Sequence, residues 1–385
     1  MTAKNIPNLR FSEFQGEWIN NKLGEIAEFL KGKGISKSQL DENGKTECIT
    51  YGELYTQYGE LIDKVKSRTS LSTDNLVISK ANDVIIPASG ETHLDIATAS
   101  CVLRKDIALG GDLNIIRAKT NGVFLAYYLN NSRKNKIAQL AQGSSVIHLY
   151  SKQLKSLKLF LPSLPEQQKI ASFLTAIDNR IQQLTRKAEL LEQYKKGVMQ
   201  QVFSQQIRFK NDNGKVFPDW EMKKLGGIAA KKSSSISANS LEYNSGEYKV
   251  YGASGLLTFV DFYNEKQPYI SIVKDGAGVG RVLLCDAMSS TLGTLDIIKP
   301  KKGNNLAFLF YSLLNLKFRK YITGSTIPHI YFKDYSKEKI QVPTLPEQQK
   351  IANFLTTIDE KIQLTQQQLD KMQTYKKGLL QQMFV

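Results

Sequence analysis

Leu164-Pro-Glu-Gln-Gln-Lys-Ile-Ala171 recurs unchanged as Leu345-Pro-Glu-Gln-Gln-Lys-Ile-Ala352, 181 residues further on. The match runs ungapped to Tyr194-Lys-Lys-Gly197 and Tyr375-Lys-Lys-Gly378, with 22 of 40 positions identical between residues 164–203 and 345–384. Identity at that level within one chain marks an internal duplication. From Ile170 the seam continues through Leu174, Ile177, Ile181, Leu184, Ala188 and Leu191 at alternating spacings of four and three. The second copy gives Ile351, Leu355, Ile358, Ile362, Thr365, Leu369 and Met372. A 3.5-residue apolar period predicts a coiled coil rather than a lone amphipathic helix. Pro165 and Pro346 suit a first helical turn, and Glu166 and Glu347 complement the positive end of the helix dipole. Forty helical residues make a rod of roughly 60 Å. Each seam alone would leave an apolar stripe in water, so the two are expected to pair. A pseudo-two-fold arrangement requires them antiparallel. Lys195 and Lys376 interrupt the seam near its end, so the last turns are expected to touch something else.

Outward from the helices, each half repeats a second time at its start. Trp18 with Lys22-Leu-Gly-Glu-Ile-Ala27 matches Trp220 with Lys224-Leu-Gly-Gly-Ile-Ala229, preceded by Arg10-Phe11 and Arg208-Phe209. A third pair, Gly143-Ser-Ser-Val-Ile-His-Leu149 and Gly324-Ser-Thr-Ile-Pro-His-Ile330, stands again 181 residues apart. Between these landmarks the halves diverge. β-branched runs at 75–86 and 267–274 read as strands, with 281–285 following the latter, and 123–130 and 305–314 read as short helices. Extended runs at 155–161 and 339–342 lead into the long helices. The expected fold is mixed α/β: two α+β domains joined by two long antiparallel coiled-coil helices, as a pseudo-two-fold repeat. The divisions fall at 1–161, 162–206, 207–341 and 342–385.

Fifty-two Lys and Arg against 36 Asp and Glu leave a net charge of +16. So basic a chain points to an anionic partner, nucleic acid first among them, over a merely soluble basic surface. The distribution sharpens this. Residues 113–165 contain no acidic side chain but carry Lys119, Arg133, Lys134, Lys136 and Lys152. Residues 297–333, at the equivalent place in the repeat, also contain none and carry Lys301, Lys302, Arg319, Lys320 and Lys333. Two matching windows free of acids suit surfaces facing phosphate. Within them Ser144 and Ser145, and Ser325 and Thr326, offer hydroxyls and backbone N–H groups to a phosphate or a base edge. His148 and His329 follow each loop glycine by five residues and fit either DNA contact or closure of the loop. Tyr150 and Tyr331 read as packing residues. Lys274 precedes a glycine-rich turn and joins the candidate DNA-binding set.

The sequence carries little sign of catalytic chemistry. Asp275-Gly-Ala-Gly-Val-Gly280 leads into another strand-like run, so a hairpin turn fits it better than a dinucleotide loop at a helix N-terminus. No phosphate-binding G-x-x-x-x-G-K-[ST] occurs, nor the Asn-Pro-Pro-Tyr or Asp-Pro-Pro-Tyr of amino-methyltransferases. Three Cys and three His lie scattered, without zinc spacing or a disulfide framework. The amino terminus lacks the apolar core of a secretory signal, and no apolar run approaches membrane length. A cytoplasmic protein that binds rather than reacts is expected, with no metal and no cofactor of its own.

Together, the Trp-x-x-x-Lys-Leu-Gly openings, the divergent middles and the duplicated Pro162-Ser-Leu-Pro-Glu-Gln-Gln-Lys-Ile170 and Pro343-Thr-Leu-Pro-Glu-Gln-Gln-Lys-Ile351 resemble the specificity subunit of type I restriction–modification systems. Tyr248-Lys-Val-Tyr-Gly-Ala-Ser-Gly255 and Lys274-Asp-Gly-Ala-Gly-Val-Gly280 look like motifs of its second variable region. The resemblance implies two target-recognition domains, each reading half of a split asymmetric site in double-stranded DNA, with the helices setting the spacer. It also implies docking to two methyltransferase subunits that modify adenine N6, and to ATP-hydrolysing restriction subunits in a bacterial or archaeal cytoplasm. S-adenosylmethionine and ATP would belong to those partners. A stand-alone DNA-binding or architectural protein on this scaffold, or an enzyme with an unrecognised site in a variable region, remain the alternatives.

Overall fold

A computed structural model of the protein describes residues 5–385. The chain forms two compact units, one from the residues up to Leu184 together with Gln368–Val385, the other from Thr185–Gln367. In chain order the first unit supplies strands β1 (Ala27–Lys31), β2 (Asp83–Pro87), β3 (Ser100–Val102) and β4 (Leu113–Ala118), then helices α1 (Gly122–Asn130) and α2 (Lys134–Leu140). The long helix α3 (Leu164–Phe203) follows. The second unit supplies β5 (Ala229–Ser233), β6 (Tyr269–Val273), β7 (Val282–Cys285), β8 (Leu295–Pro300) and α4 (Leu306–Leu314) before the second long helix, α5 (Leu345–Gln382).

The two units share a sheet plan. In the first, β4 lies between β1 and β2, with β3 beyond β2, these four antiparallel, and a short fifth strand, Leu61–Ile62, lies parallel to β3 at the edge. In the second, β8 lies between β5 and β6, with β7 beyond β6, again antiparallel. The central strands read Leu113-Asn-Ile-Ile-Arg-Ala118 and Leu295-Asp-Ile-Ile-Lys-Pro300, buried over their first four residues, so both faces of the sheet are covered there. A smaller sheet accompanies each. Residues 75–86 do not form one strand: Val77–Ile78 pairs in the smaller sheet, and β2 begins only at Asp83 after a turn at Asn82, whose φ is +78°. The run at 155–161 likewise begins in a helical turn, with strand only at Lys158–Leu161. That strand pairs with Ile19–Lys22, and Lys339–Val342 with Glu221–Lys224, tying each opening segment to the start of a long helix.

The duplicated Pro-Glu-Gln-Gln sequence is explained by what its side chains hold. Glu166 is fully buried and receives two bonds from the Arg10 guanidinium, both 2.8 Å, and one from the Trp18 indole N–H at 3.3 Å. Glu347 repeats this with Arg208 (2.9 and 3.1 Å) and Trp220 (3.1 Å). The hydrogen bonds to the carboxylate, Glu166 for one and Glu347 for the other, hold both guanidiniums above their ordinary pKa. The next residue, Gln167 or Gln348, donates to Pro162 O or Pro343 O at 2.9 Å and accepts from the backbone N–H of Asn121 or Asn305. Those asparagines cap α1 and α4 through Phe124 N and Phe308 N, each at 2.9 Å. One short motif therefore joins three elements of each unit.

Each core also takes the end of the other helix. In the first unit Lys376 of α5 pairs with Asp178 at 2.7 Å, while Phe384 packs 5.6 Å from both Phe124 and Tyr128 and so lies near the start of α3; the two helices run antiparallel. Leu379 and Met383 join Ile170, Leu174 and Ile177 in that core, with Ile181 and Met372 half-buried against it. In the second unit Lys195 of α3 pairs with Asp359 at 2.5 Å, and Val198 and Val202 join Ile351, Leu355 and Ile358, with Ile362 against them. Leu184 and Leu369 are buried and Leu191 is half-buried. The seam thus serves as more than a self-contained coiled coil, because its ends are domain core. Lys376 and Lys195, which interrupt the seam, close a matched network: Tyr127 donates to Asp178, and Tyr311 to Asp359 at 2.7 Å, with each lysine near its tyrosine ring.

Removing Glu166 or Glu347 leaves a largely buried guanidinium and indole N–H without their acceptor. Glu166→Ala and Glu347→Ala are each expected to cost about 3–5 kcal/mol, read as a shift of the urea transition by tryptophan fluorescence; an unmoved midpoint would refute the clasp. A pH dependence follows from the tyrosines. Burial first, then the neighbouring carboxylate, pushes Tyr127 and Tyr311 well above the ordinary phenol value. A folded-state pKa above the unfolded value of about 10 gives stability that is complete below that pH and is lost as pH rises beyond it. The urea midpoint should therefore hold from pH 7 to 9 and fall above pH ~10.

Candidate nucleic-acid interface

In each unit the Gly-Ser loop is a closed hairpin anchored beside the first residues of the central strand. Gln142 and His148 exchange both backbone hydrogen bonds (2.8 and 2.7 Å), as do Thr323 and His329 (2.9 and 2.8 Å). Gly143 and Gly324 hold φ of +118° and +85°, where a Cβ would also collide with the carbonyl oxygens of Val146 and Ile327. Only glycine serves there. The loop's outgoing end is bound to the chain just past β2 or β6: Leu149 N to Ala88 O at 3.0 Å, and Ile330 N to Lys274 O at 2.9 Å.

The scaffold is shared but its floor differs. In the first unit buried Asn114 donates to Leu149 O at 2.8 Å and accepts from Ser151 at 2.9 Å, and Ser89 lies 3.3 Å from His148 Nδ1. In the second unit Asp296 stands where Asn114 stands. Burial raises its pKa, and its Oδ1 pairs with the Lys231 ammonium at 3.5 Å. Lys274 and Asp275, paired with each other, stand where the first unit has Ala88 and Ser89. The glycine-rich stretch is the β6–β7 hairpin turn, as its sequence suggests, and Gly276 N bonds Pro328 O at 2.9 Å. Arg281 reaches from it to Ala253 O at 2.6 Å, inside the Tyr-Gly-Ala-Ser-Gly turn. Both second-region motifs thus converge with the Gly324 loop on one edge.

The sequence-derived residues fall into groups. Ser144, Ser145, Ser325 and Thr326 are exposed at the loop tips, and His148 and His329 are half-buried at the hairpin ends. Lys152 and Lys333 follow the loops, exposed; Arg319 and Lys320 precede the second, with Lys320 held by Glu338 at 2.7 Å. Lys134 and Lys136 lie on α2, leading into the first loop. Lys119, Lys301 and Lys302 sit at the far end of the central strands from the loops, Lys301 donating to Gly226 O at 2.6 Å. Arg133 does not belong with them. It is buried, its guanidinium 5.0 Å from the Tyr128 ring and 5.7 Å from Phe160, donating to Lys158 O. Flanking aromatics and a carbonyl acceptor make it a core residue. Tyr150 and Tyr331, expected to pack, are instead about half exposed, at 55% and 48%. Among the described residues no His, Cys, Asp or Glu cluster is placed to hold a metal, and no helix is long and apolar enough to cross a membrane.

A family model described as "Type I restriction modification DNA specificity domain" matches residues 15–193 and 218–374. The chain is 26% identical to the type I restriction enzyme MjaVIII specificity subunit of Methanocaldococcus jannaschii, over 98% of this chain and 93% of that one. A crystal structure of a type I restriction–modification S subunit from M. genitalium superposes with a TM-score of 0.73 at 18% identity, covering 99% of both chains. A chain from a study of type I system assembly and conformational transition gives 0.51 at 16% identity, over 95% of this chain and 97% of that one.

Gly143→Ala and Gly324→Ala are expected to lower stability by more than ~1 kcal/mol, whereas Ser325→Ala at the exposed tip stays within ~0.5 kcal/mol. Urea unfolding checks both. Wild-type stability in Gly324→Ala would rule out the rigid hairpin.

Proposed function

The chain belongs to the specificity subunits of type I restriction–modification systems, non-catalytic chains that recognise DNA through two target-recognition domains, and on that basis we propose how this one divides the work. Each unit reads one half of a split, asymmetric duplex site. The division is 1–161 and 207–341 for reading, 162–206 and 342–385 for spacing and for docking two methyltransferase subunits. The observation that carries this is the loop edge built twice on one scaffold with different floor chemistry. Two units of like sheet plan each present such a surface, and different side chains let the two half-sites differ.

In this reading Ser144, Ser145, His148, Ser325, Thr326 and His329 meet base edges, with Lys152, Lys274 and Lys333 beside them. Lys119, Lys134, Lys136, Lys301, Lys302, Arg319 and Lys320 supply salt-dependent attraction to phosphates, without base preference. Each well-read base pair contributes roughly 1–3 kcal/mol, and two half-sites read at fixed separation multiply the selectivity. The methyltransferase partners bring S-adenosylmethionine and transfer methyl groups to adenine N6. Restriction subunits in the full complex bring ATP hydrolysis and cleavage.

Modified-base sequencing of genomic DNA from cells with and without this gene, methyltransferase present, tests the reading. A split adenine-methylated motif that appears only with the gene is expected. Removing one heptad from the middle of both helices, between Ile181 and Tyr194 and between Ile362 and Tyr375, shortens the rod by ~10 Å while sparing both cores. The motif's spacer should then contract or recognition should cease; an unchanged spacer would exclude the helices as the ruler.

A further inference from the structure

The hairpins leave one feature that hydroxyls and cations do not account for. Beyond each tip, side chains alternate as in a strand, with Ile147 and Leu149 buried and Val146, His148 and Tyr150 on the other side. The second unit repeats this with Ile330 buried and Ile327, His329 and Tyr331 outward. The His148 and Tyr150 rings lie 6.1 Å apart and nearly parallel, and those of His329 and Tyr331 lie 5.1 Å apart, with the Lys333 ammonium 5.1 Å from the tyrosine ring. At the head of each ladder stands a β-branched aliphatic side chain, Val146 at 53% exposure and Ile327 at 64%. A single exposed aliphatic residue is unremarkable on any surface. Two at the same position of a repeated loop, each beside two hydroxyls and in a window without acids, ask for a common partner.

Resting on the DNA-reading role above, we propose that Val146 and Ile327 are specificity-determining residues, each contacting the 5-methyl group of a thymine in its own half-site. Each hairpin closes on a single antiparallel bridge, Gln142 with His148 and Thr323 with His329, so its tip is a narrow projection that a major groove has room for, and the thymine methyl lies in that groove beside the donors and acceptors that serine and threonine read. The alternative for an apolar tip is a wedge driven between base pairs from the minor groove. Valine and isoleucine branch at Cβ and reach only a short way past the loop backbone, and the glycine at the loop's start holds that backbone rigid. They fit beside a methyl group better than between stacked bases.

The test uses the full chain in complex with its methyltransferase, on duplexes carrying the site found by sequencing, with each thymine replaced in turn by deoxyuridine. This removes the methyl and leaves pairing and the minor groove intact. Wild-type complex is expected to bind about fourfold more weakly, the worth of one buried carbon group, at one thymine in each half-site. Ile327→Ala should lose that sensitivity in the second unit's half-site and keep it in the other; Val146→Ala should do the reverse. Both side chains are exposed, so the variants keep their cores, and unchanged thermal unfolding confirms it. Wild-type binding indifferent to deoxyuridine throughout, while still preferring the site to a scrambled duplex, overturns the methyl contact and leaves the DNA-reading role standing. So does sensitivity that survives in both alanine variants. No preference over the scrambled duplex would instead remove the reading role, and this inference with it.

Discussion

A buried carboxylate at the first turn of each long helix is the constraint on which the rest depends. Glu166 and Glu347 are almost wholly withdrawn from water, a position tolerable only with full pairing. Arginine and tryptophan from the opening segment supply it, in one geometry repeated twice. The opening segment, the strand before the helix and the helix itself are thereby fixed together, and the adjacent glutamine extends the hold to α1 or α4. Whatever the variable loops become, their frame is set by this four-residue sequence. That is a sufficient physical reason for its being the best-preserved piece of the duplication.

The second constraint is reciprocity between the helices. Each begins in one core and ends in the other, so Val198 and Val202 complete the second unit while Leu379, Met383 and Phe384 complete the first. Helix length is therefore tied to folding at both ends: a change near either terminus disturbs a core, whereas the middle turns bury mainly the coiled-coil seam. Length can vary only where it leaves the cores alone, which is where a spacing element would need freedom. The lysine–aspartate–tyrosine networks mark the point on each helix at which seam gives way to core.

Much of this was legible in the sequence because it is periodic or repeated. The heptads, the duplicated ends and the two loop glycines are local signals, and each has a local cause. The clasp was not legible: Glu166 and Arg10 are 156 residues apart, and first-turn preference alone already explained a glutamate there. Arg133 misled for a related reason, since composition counts a cation without showing that Tyr128 and Phe160 enclose it. Tyr150 and Tyr331 misled in the opposite sense. The alternation that exposes them lies on the outgoing arm of each hairpin, and that arm is anchored by bonds to Ala88 and Lys274 far back in the chain. Residues 75–86 look like one strand by composition, but the turn at Asn82 divides them between two sheets.

The floor beneath the loops shows how a duplicated frame comes to hold two different chemistries. Asn114 satisfies the Leu149 carbonyl and Ser151 at once, a neutral and complete arrangement. Asp296 in the same place has no amide to donate; its buried Oδ1 is met by the Lys231 ammonium at 3.5 Å, and burial, which raises its pKa, disfavours the charged form there. It is accompanied by Lys231, Lys274 and Asp275, so the second edge is charged where the first is neutral. Local disadvantage of this kind persists where something other than stability decides the residue. Asp296 lies beside Lys274, which anchors the loop that, in the reading proposed, must tell one half-site from the other. The clasp and the floor are thus under opposite demands, one requiring sameness in both units and the other difference.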